Sequence, residues 1–159
     1  LLQGTRNIFA RNSLMLCVPQ GNRAQLESMQ DLLSPRVQLI GMGTPNTVPA
    51  GQYAKQALEM LGIWQEVQPK LIYGESVRQV LDYLARDEVD AGFVYKTDAV
   101  KAAQDVAIVA RASLDQDVAY PIAILAQTAQ ADMAREFVAF ILGPQGQELL
   151  AARGFEAAP

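Results

Sequence analysis

The 159-residue chain has no histidine and a single cysteine. Without His there is no Ser-His-Asp triad, no imidazole general base and no His-ligated metal centre. The one cysteine, Cys17, can form neither an intramolecular disulfide nor a Cys cluster. It sits in the apolar run 14–18 and reads as a small core residue; a thiol nucleophile with no imidazole partner makes a poor catalyst. Basic excess is missing as well: 13 Lys+Arg stand against 17 Asp+Glu, a formal charge of −4. That balance argues against nucleic acid as a partner, because binding a phosphate backbone needs clustered Lys and Arg. No apolar run approaches the roughly 18 residues of a membrane-crossing helix. Residues 1–10 include Gln3, Thr5, Arg6 and Asn7, and so do not form the apolar centre of a signal peptide.

Half of the residues are apolar and 19% are charged. Such a composition folds rather than stays disordered, and the length suffices for one sizeable core or two small lobes. Apolar runs of strand length alternate with helical patterns. Residues 14–18, 37–40, 71–73, 91–95 and 106–110 read as strands, and 41–45 as a loop. Residues 23–33 form a weak helical pattern that Ser34-Pro35 ends. The clearest helix follows Pro49: Ala50, Tyr53, Ala54, Ala57, Leu58 and Leu61 make one continuous apolar face. Pro49 suits its first turn and Gly62 the position just past its end. A second helix starts at Ser76, a natural N-cap, with Val77, Val80, Leu81 and Leu84 as its stripe. A short helix is expected over 97–103, a polar irregular stretch over 115–119, and a β-prone run over 120–125. Helices over 132–142 and 145–152 close the chain, parted by Gly143-Pro144. The alternation predicts an α/β sandwich with largely parallel strand pairing.

Two helix starts, one around Val48-Pro49-Ala50 and one around Glu75-Ser76-Val77, each follow a strand and a short loop. Both should open at the carboxyl edge of the sheet, where α/β proteins bind ligands. The first turn of a helix carries unpaired N–H groups and about half a positive charge, so it holds an anion without a basic side chain, or simply water. Ala50 and Val77 fall in those first turns. Tyr95 ends an apolar strand at the same edge, either as a core-edge aromatic or as a phenol donor aimed into a cleft. Asp98 with Thr97 reads as a cap of the following helix. Glu75 should point to solvent, and Asp87, Glu88 and Asp90 form a solvated acidic turn. Gly41-Met42-Gly43 lacks the Lys and the spacing of a phosphate loop.

As a set, these residues resemble the periplasmic molybdate-binding proteins of ABC transporters. The likeness is carried by Val48-Pro49-Ala50-Gly51-Gln52-Tyr53-Ala54-Lys55, Leu61-Gly62-Ile63-Trp64, Gln68-Pro69-Lys70-Leu71 and Gly74-Glu75-Ser76-Val77-Arg78. It continues through Ala91-Gly92-Phe93-Val94-Tyr95 with Asp98-Ala99, Tyr120-Pro121-Ile122-Ala123, Gly143-Pro144-Gln145-Gly146 and Gly154-Phe155. The resemblance implies a three-layer α/β sandwich like that of type II periplasmic binding proteins. Two such lobes, joined by a hinge, close on one tetrahedral oxyanion, molybdate or tungstate. The second-lobe ligands it implies are the backbone N–H groups of Ala50 and Val77 and the hydroxyl of Tyr95. It further implies capture rather than catalysis, no cofactor beyond the oxyanion, a periplasmic location and a membrane transporter subunit as partner. A rival reading is the ligand-sensing domain of a transcription regulator with the same fold; a second is an enzyme of phosphate or sulfate esters.

Set against the family, the chain begins at Leu1 about where the crossing into the second lobe falls. The expectation is therefore a carboxyl-terminal portion without the first lobe and its two serine ligands: an anion-binding lobe over 7–119 and a returning segment over 120–159. Phe137, Val138, Ile141, Leu142, Leu149, Leu150 and Phe155 in that segment are expected to pack on the missing amino-terminal lobe or, without it, to drive self-association. The run 120–125 is expected to present an open strand edge.

Overall fold

The computed structural model describes residues 1–116 and 118–157. Asp117, within the expected polar stretch 115–119, and residues 158–159, at the end of the expected returning segment, lie outside the described residues. In chain order the elements are β1 (Asn7–Asn12), β2 (Leu14–Pro19), β3 (Ile40–Gly43), α1 (Pro49–Met60), α2 (Trp64–Val67), β4 (Leu71–Gly74) and α3 (Val77–Ala85). Then come β5 (Ala91–Tyr95), α4 (Lys96–Lys101), β6 (Val106–Arg111), β7 (Val118–Ile122), α5 (Ala131–Leu142) and α6 (Pro144–Ala151). Two compact units result, one of Ser13–Gln116 and one of Leu1–Asn12 with Asp117–Pro159.

The Ser13–Gln116 unit is built on a five-stranded sheet of order β4-β3-β5-β2-β6. Alternation along the strands sends side chains to two separate cores. Leu14, Leu16 and Val18 of β2 join Ile40, Met42, Ala91 and Phe93 beneath α1 and α2. Met15 and Cys17 join Val94 beneath α3 and α4, with Val80, Leu84 and Ala99. The sheet is thus covered on both faces, the three-layer sandwich that the alternating pattern implies. Its pairing corrects one expectation: β3 runs parallel to β4 and to β5, whereas β2 runs antiparallel to both β5 and β6. A wholly apolar strand such as β2 carries no mark of its direction; the connections between strands decide it.

Two local differences have identifiable causes. The expected helix over 23–33 is reduced to a 3-10 turn, Met29–Leu33. Side chains compete for the backbone there: Asn22 bonds both the N–H and the carbonyl of Leu26 at 3.0 Å, and Asp31 accepts the N–H groups of Glu27 and Ser28 at 2.9 and 2.8 Å. The strand expected over 37–40 lies instead at Ile40–Gly43, sharing only Ile40 with the expectation and otherwise running through the expected loop, and all four of its residues are buried. Glycines that signal a turn in sequence here give room to close neighbours.

In the other unit, β1 pairs antiparallel with β7. Residues 7–12, expected to open the anion-binding lobe, therefore belong with the carboxyl-terminal segment, and β7 has a partner along one side. Further ties are the N–H of Leu2 to the carbonyl of Ile124 (2.8 Å), the Arg11–Glu156 bridge, and Gln147, whose amide donates to the carbonyls of Phe9 and Ile141 at 2.9 Å. Tyr120 packs edge-on against Phe155 with ring centroids 5.6 Å apart. Helix α5 has no buried residue; Phe137 is 57% exposed and Leu149 of α6 is 62% exposed.

Candidate functional site

The strands β4, β3 and β5 are adjacent and mutually parallel, so their carboxyl ends lie along one edge. Gly74, Gly43 and Tyr95 are the last residues of those strands. Helix α1 opens after β3, and α3 opens after β4. Ala50 in the first turn of α1, Val77 at the first position of α3 and Tyr95 at the end of β5 are thereby brought to the same edge of one unit. Ala50 is buried, while Val77 and Tyr95 are half-buried against the α1-side core.

The two helix starts differ in chemistry. Val48, the N-cap of α1, gives no side-chain hydrogen bond, and Pro49 follows it. At α3, the Ser76 hydroxyl accepts the N–H of Gln79 at 3.2 Å. The Gln79 side chain reaches back to the N–H of Glu75 at 2.7 Å, close to a reciprocal capping box. Those bonds leave the N–H of Val77 directed out of the first turn. The Glu75 side chain is exposed, as expected.

Thr44 is a residue whose role the sequence does not reveal. Its N–H and hydroxyl both donate to the carbonyl of Gly74, at 2.9 and 3.2 Å, while its own carbonyl accepts from Thr47 and Val48. One threonine thus ties the loop before α1 to the end of β4. The only available signal was a Thr following a strand; that β4 lies alongside is a tertiary fact.

The cap expected at Thr97 and Asp98 falls inside the helix: α4 opens at Lys96 with Tyr95 as its N-cap and no side-chain cap bond, and Asp98 lies in the first turn. Burial raises the pKa of Asp98 above the usual aspartate value, and the Arg78 guanidinium, the backbone N–H of Tyr95 and Lys101 oppose that rise. Cys17 is fully buried, and desolvation pushes its thiol up to about 12, so it is inert at neutral pH. Asp90 accepts the N–H groups of Gln38 and Leu39 at 2.7 and 3.0 Å, and Asp87 meets Arg23 at 2.6 Å; the acidic turn is structural. Among the described residues, no cluster of Cys, Asp and Glu could hold a metal ion, and no helix is long and apolar enough to cross a membrane.

In a sheet buried on both faces, with helix starts gathered at the carboxyl edge of its parallel strands, that edge is where α/β folds bind ligands. The match is specific: residues 1–156 fit the family model of bacterial extracellular solute-binding proteins, and the chain belongs to that family. It is similar to the molybdate-binding protein ModA of Escherichia coli, 35% identical over 95% of this chain and 60% of the relative. The corresponding protein of Haemophilus influenzae is 32% identical over 96% of this chain and 61% of the relative. A substrate binding domain from Clostridium difficile superposes with a TM-score of 0.91 at 26% identity, over 100% of this chain and 69% of that one. The chain therefore spans about 60% of the length of the curated relatives it matches. The type II periplasmic-binding-protein-like fold follows from these likenesses, and the family is one of binding proteins.

Proposed function

We propose that this protein is the solute-binding component of a molybdate or tungstate ABC uptake system, working in the periplasm and delivering its ligand to a membrane subunit. The observation that supports the reading is the placement of Ala50, Val77 and Tyr95 along the carboxyl edge of three adjacent parallel strands. The molybdate-binding relatives support it. Two helix-start N–H groups and one phenol would replace part of the water shell of a tetrahedral oxyanion. Helix ends, rather than Lys or Arg, would offset its charge. Three donors are fewer than four anion oxygens can engage, so other groups complete the shell.

A donor-only shell also selects. Hydrogen phosphate carries a proton at neutral pH, for which such a shell has no acceptor, and sulfate is smaller than molybdate. Calorimetric titration of the protein carrying both lobes with molybdate, tungstate, sulfate and phosphate tests the reading. Tight molybdate and tungstate binding with weak sulfate and phosphate binding is the expected result, and sulfate bound as tightly as molybdate overturns the selectivity. Tyr95→Phe should keep the fold and weaken molybdate binding by about 1.5–3 kcal/mol, the usual worth of a hydrogen bond to a charged group. Unchanged affinity would make Tyr95 a core-edge aromatic only.

A further inference from the structure

The end of β3 and the first turn of α1 approach more closely than any side chain allows. A Cβ on Gly51 would lie 2.0 Å from the carbonyl oxygen of Gly43 and 2.5 Å from its carbonyl carbon. A Cβ on Gly43 would lie 2.5 Å from Val48 Cγ1 and 3.3 Å from the Gly51 nitrogen. Neither glycine has a positive φ. What glycine supplies at both positions is room for backbone to touch backbone, not an unusual conformation.

Gly51 directly follows Ala50, and its N–H is already bonded to the Val48 carbonyl at 2.9 Å. Val48 brings no capping side chain to hold this helix start. The Thr44 carbonyl bonds the Val48 N–H at 2.9 Å, and the close approach of Gly43 to Gly51 sets how near the first turn lies to the strand end. Any group on residue 51 must push the turn off β3 and carry the Ala50 N–H with it. We propose that Gly43 and Gly51 are positioning residues of the oxyanion site, setting where the Ala50 N–H stands at the sheet edge. This rests on the reading of Ala50 as an anion donor.

The test is a titration of sodium molybdate into the isotope-labelled protein carrying both lobes, followed by backbone amide resonances. In the unmutated protein the amides of Ala50 and Val77 should both shift. In Gly51→Ala the Ala50 response should vanish while that of Val77 persists, with affinity about tenfold lower or more, the loss of one charge-assisted donor. Leu58→Ala, a fully buried position farther along the same helix, should lower stability yet keep the Ala50 response. An Ala50 response retained in Gly51→Ala, or lost equally in Leu58→Ala, overturns the proposal. No response of Ala50 and Val77 in the unmutated protein overturns instead the reading on which it rests. Should Gly51→Ala not fold, Gly43→Ala serves. Alone it should abolish the Ala50 response, and Val48→Gly in the same chain, which removes the two nearest atoms and leaves the Gly51 nitrogen at 3.3 Å, should restore it in part; an Ala50 response kept in Gly43→Ala alone overturns the proposal.

Discussion

The two helix starts at the sheet edge are seated by different means. Helix α1 has no capping side chain and rests backbone on backbone through Gly43 and Gly51. Helix α3 is capped by Ser76 and rests on the sheet through a side chain. A Cβ on Gly41, Gly74 or Gly92, one from each of β3, β4 and β5, would meet a Val80 methyl at 3.2, 3.0 or 3.1 Å. Val80 fills the shallow depression those glycines leave. A side chain can shift by tenths of an ångström; a carbonyl held in a ladder cannot. The α1 start should therefore be the rigid member of the pair and the α3 start the adaptable one.

The largest expected effect is on the backbone seat. Gly51→Ala should destabilise by about 3 kcal/mol, the upper part of the range for overpacking. Gly41→Ala, which meets only Val80 Cγ1 at 3.2 Å and Val89 methyls beyond it, should cost about 1 kcal/mol. Urea unfolding of the two variants measures the difference, and equal losses would erase the contrast.

A smaller effect sharpens the nature of the α3 seat. Val80→Ala removes two methyls from a fully buried position and should cost about 2 kcal/mol. In that background Gly41→Ala should become nearly neutral, a coupling of about 1 kcal/mol in a double-mutant cycle. Additive losses would mean that Val80 is not what the glycine accommodates. Ser76→Ala comes next, at about 1 kcal/mol for a lost N-cap. The same loss measured calorimetrically should leave molybdate binding within a small factor, because the hydroxyl serves Gln79 rather than Val77.

The smallest effect is electrostatic. Asp98 has its pKa raised in the fold, chiefly by burial. The folded state therefore holds its proton to higher pH than the unfolded chain does. The cost is fully present above the raised value, is relieved as pH falls through it, and changes no further below the unfolded value of about 3.9. Asp98→Asn should remove this acid-side gain, worth less than about 1 kcal/mol for a half-exposed group. Thermal melts of both proteins across the mildly acidic range check it; parallel profiles would show that Asp98 contributes nothing.

Much of this was legible beforehand because it is local. The stripe from Ala50 to Leu61, Ser76 as a cap and the run at Ala91–Tyr95 appear where periodicity and capping chemistry put them. Strand β1 was not legible. Asn7, Arg11 and Asn12 interrupt any apolar run, and its partner, Val118–Ile122, lies near the other end of the chain. Strand β3 was hidden by its own glycines, which in sequence resemble a loop.

The sequence by itself determined which segments coil or extend, which faces turn inward, that His-based and Cys-cluster chemistry is absent, and which family the motifs resemble. These depend on residue identity and short spacing, and each is written within one or two turns of chain. Only the tertiary structure decided that β2 runs against its neighbours, that Thr44 reaches the Gly74 carbonyl, that Gly43 touches Gly51, and that Ala50, Val77 and Tyr95 share one edge. Each of those depends on which elements lie side by side. That choice is made by the packing of the whole sheet against its two helical layers, and no local pattern records it.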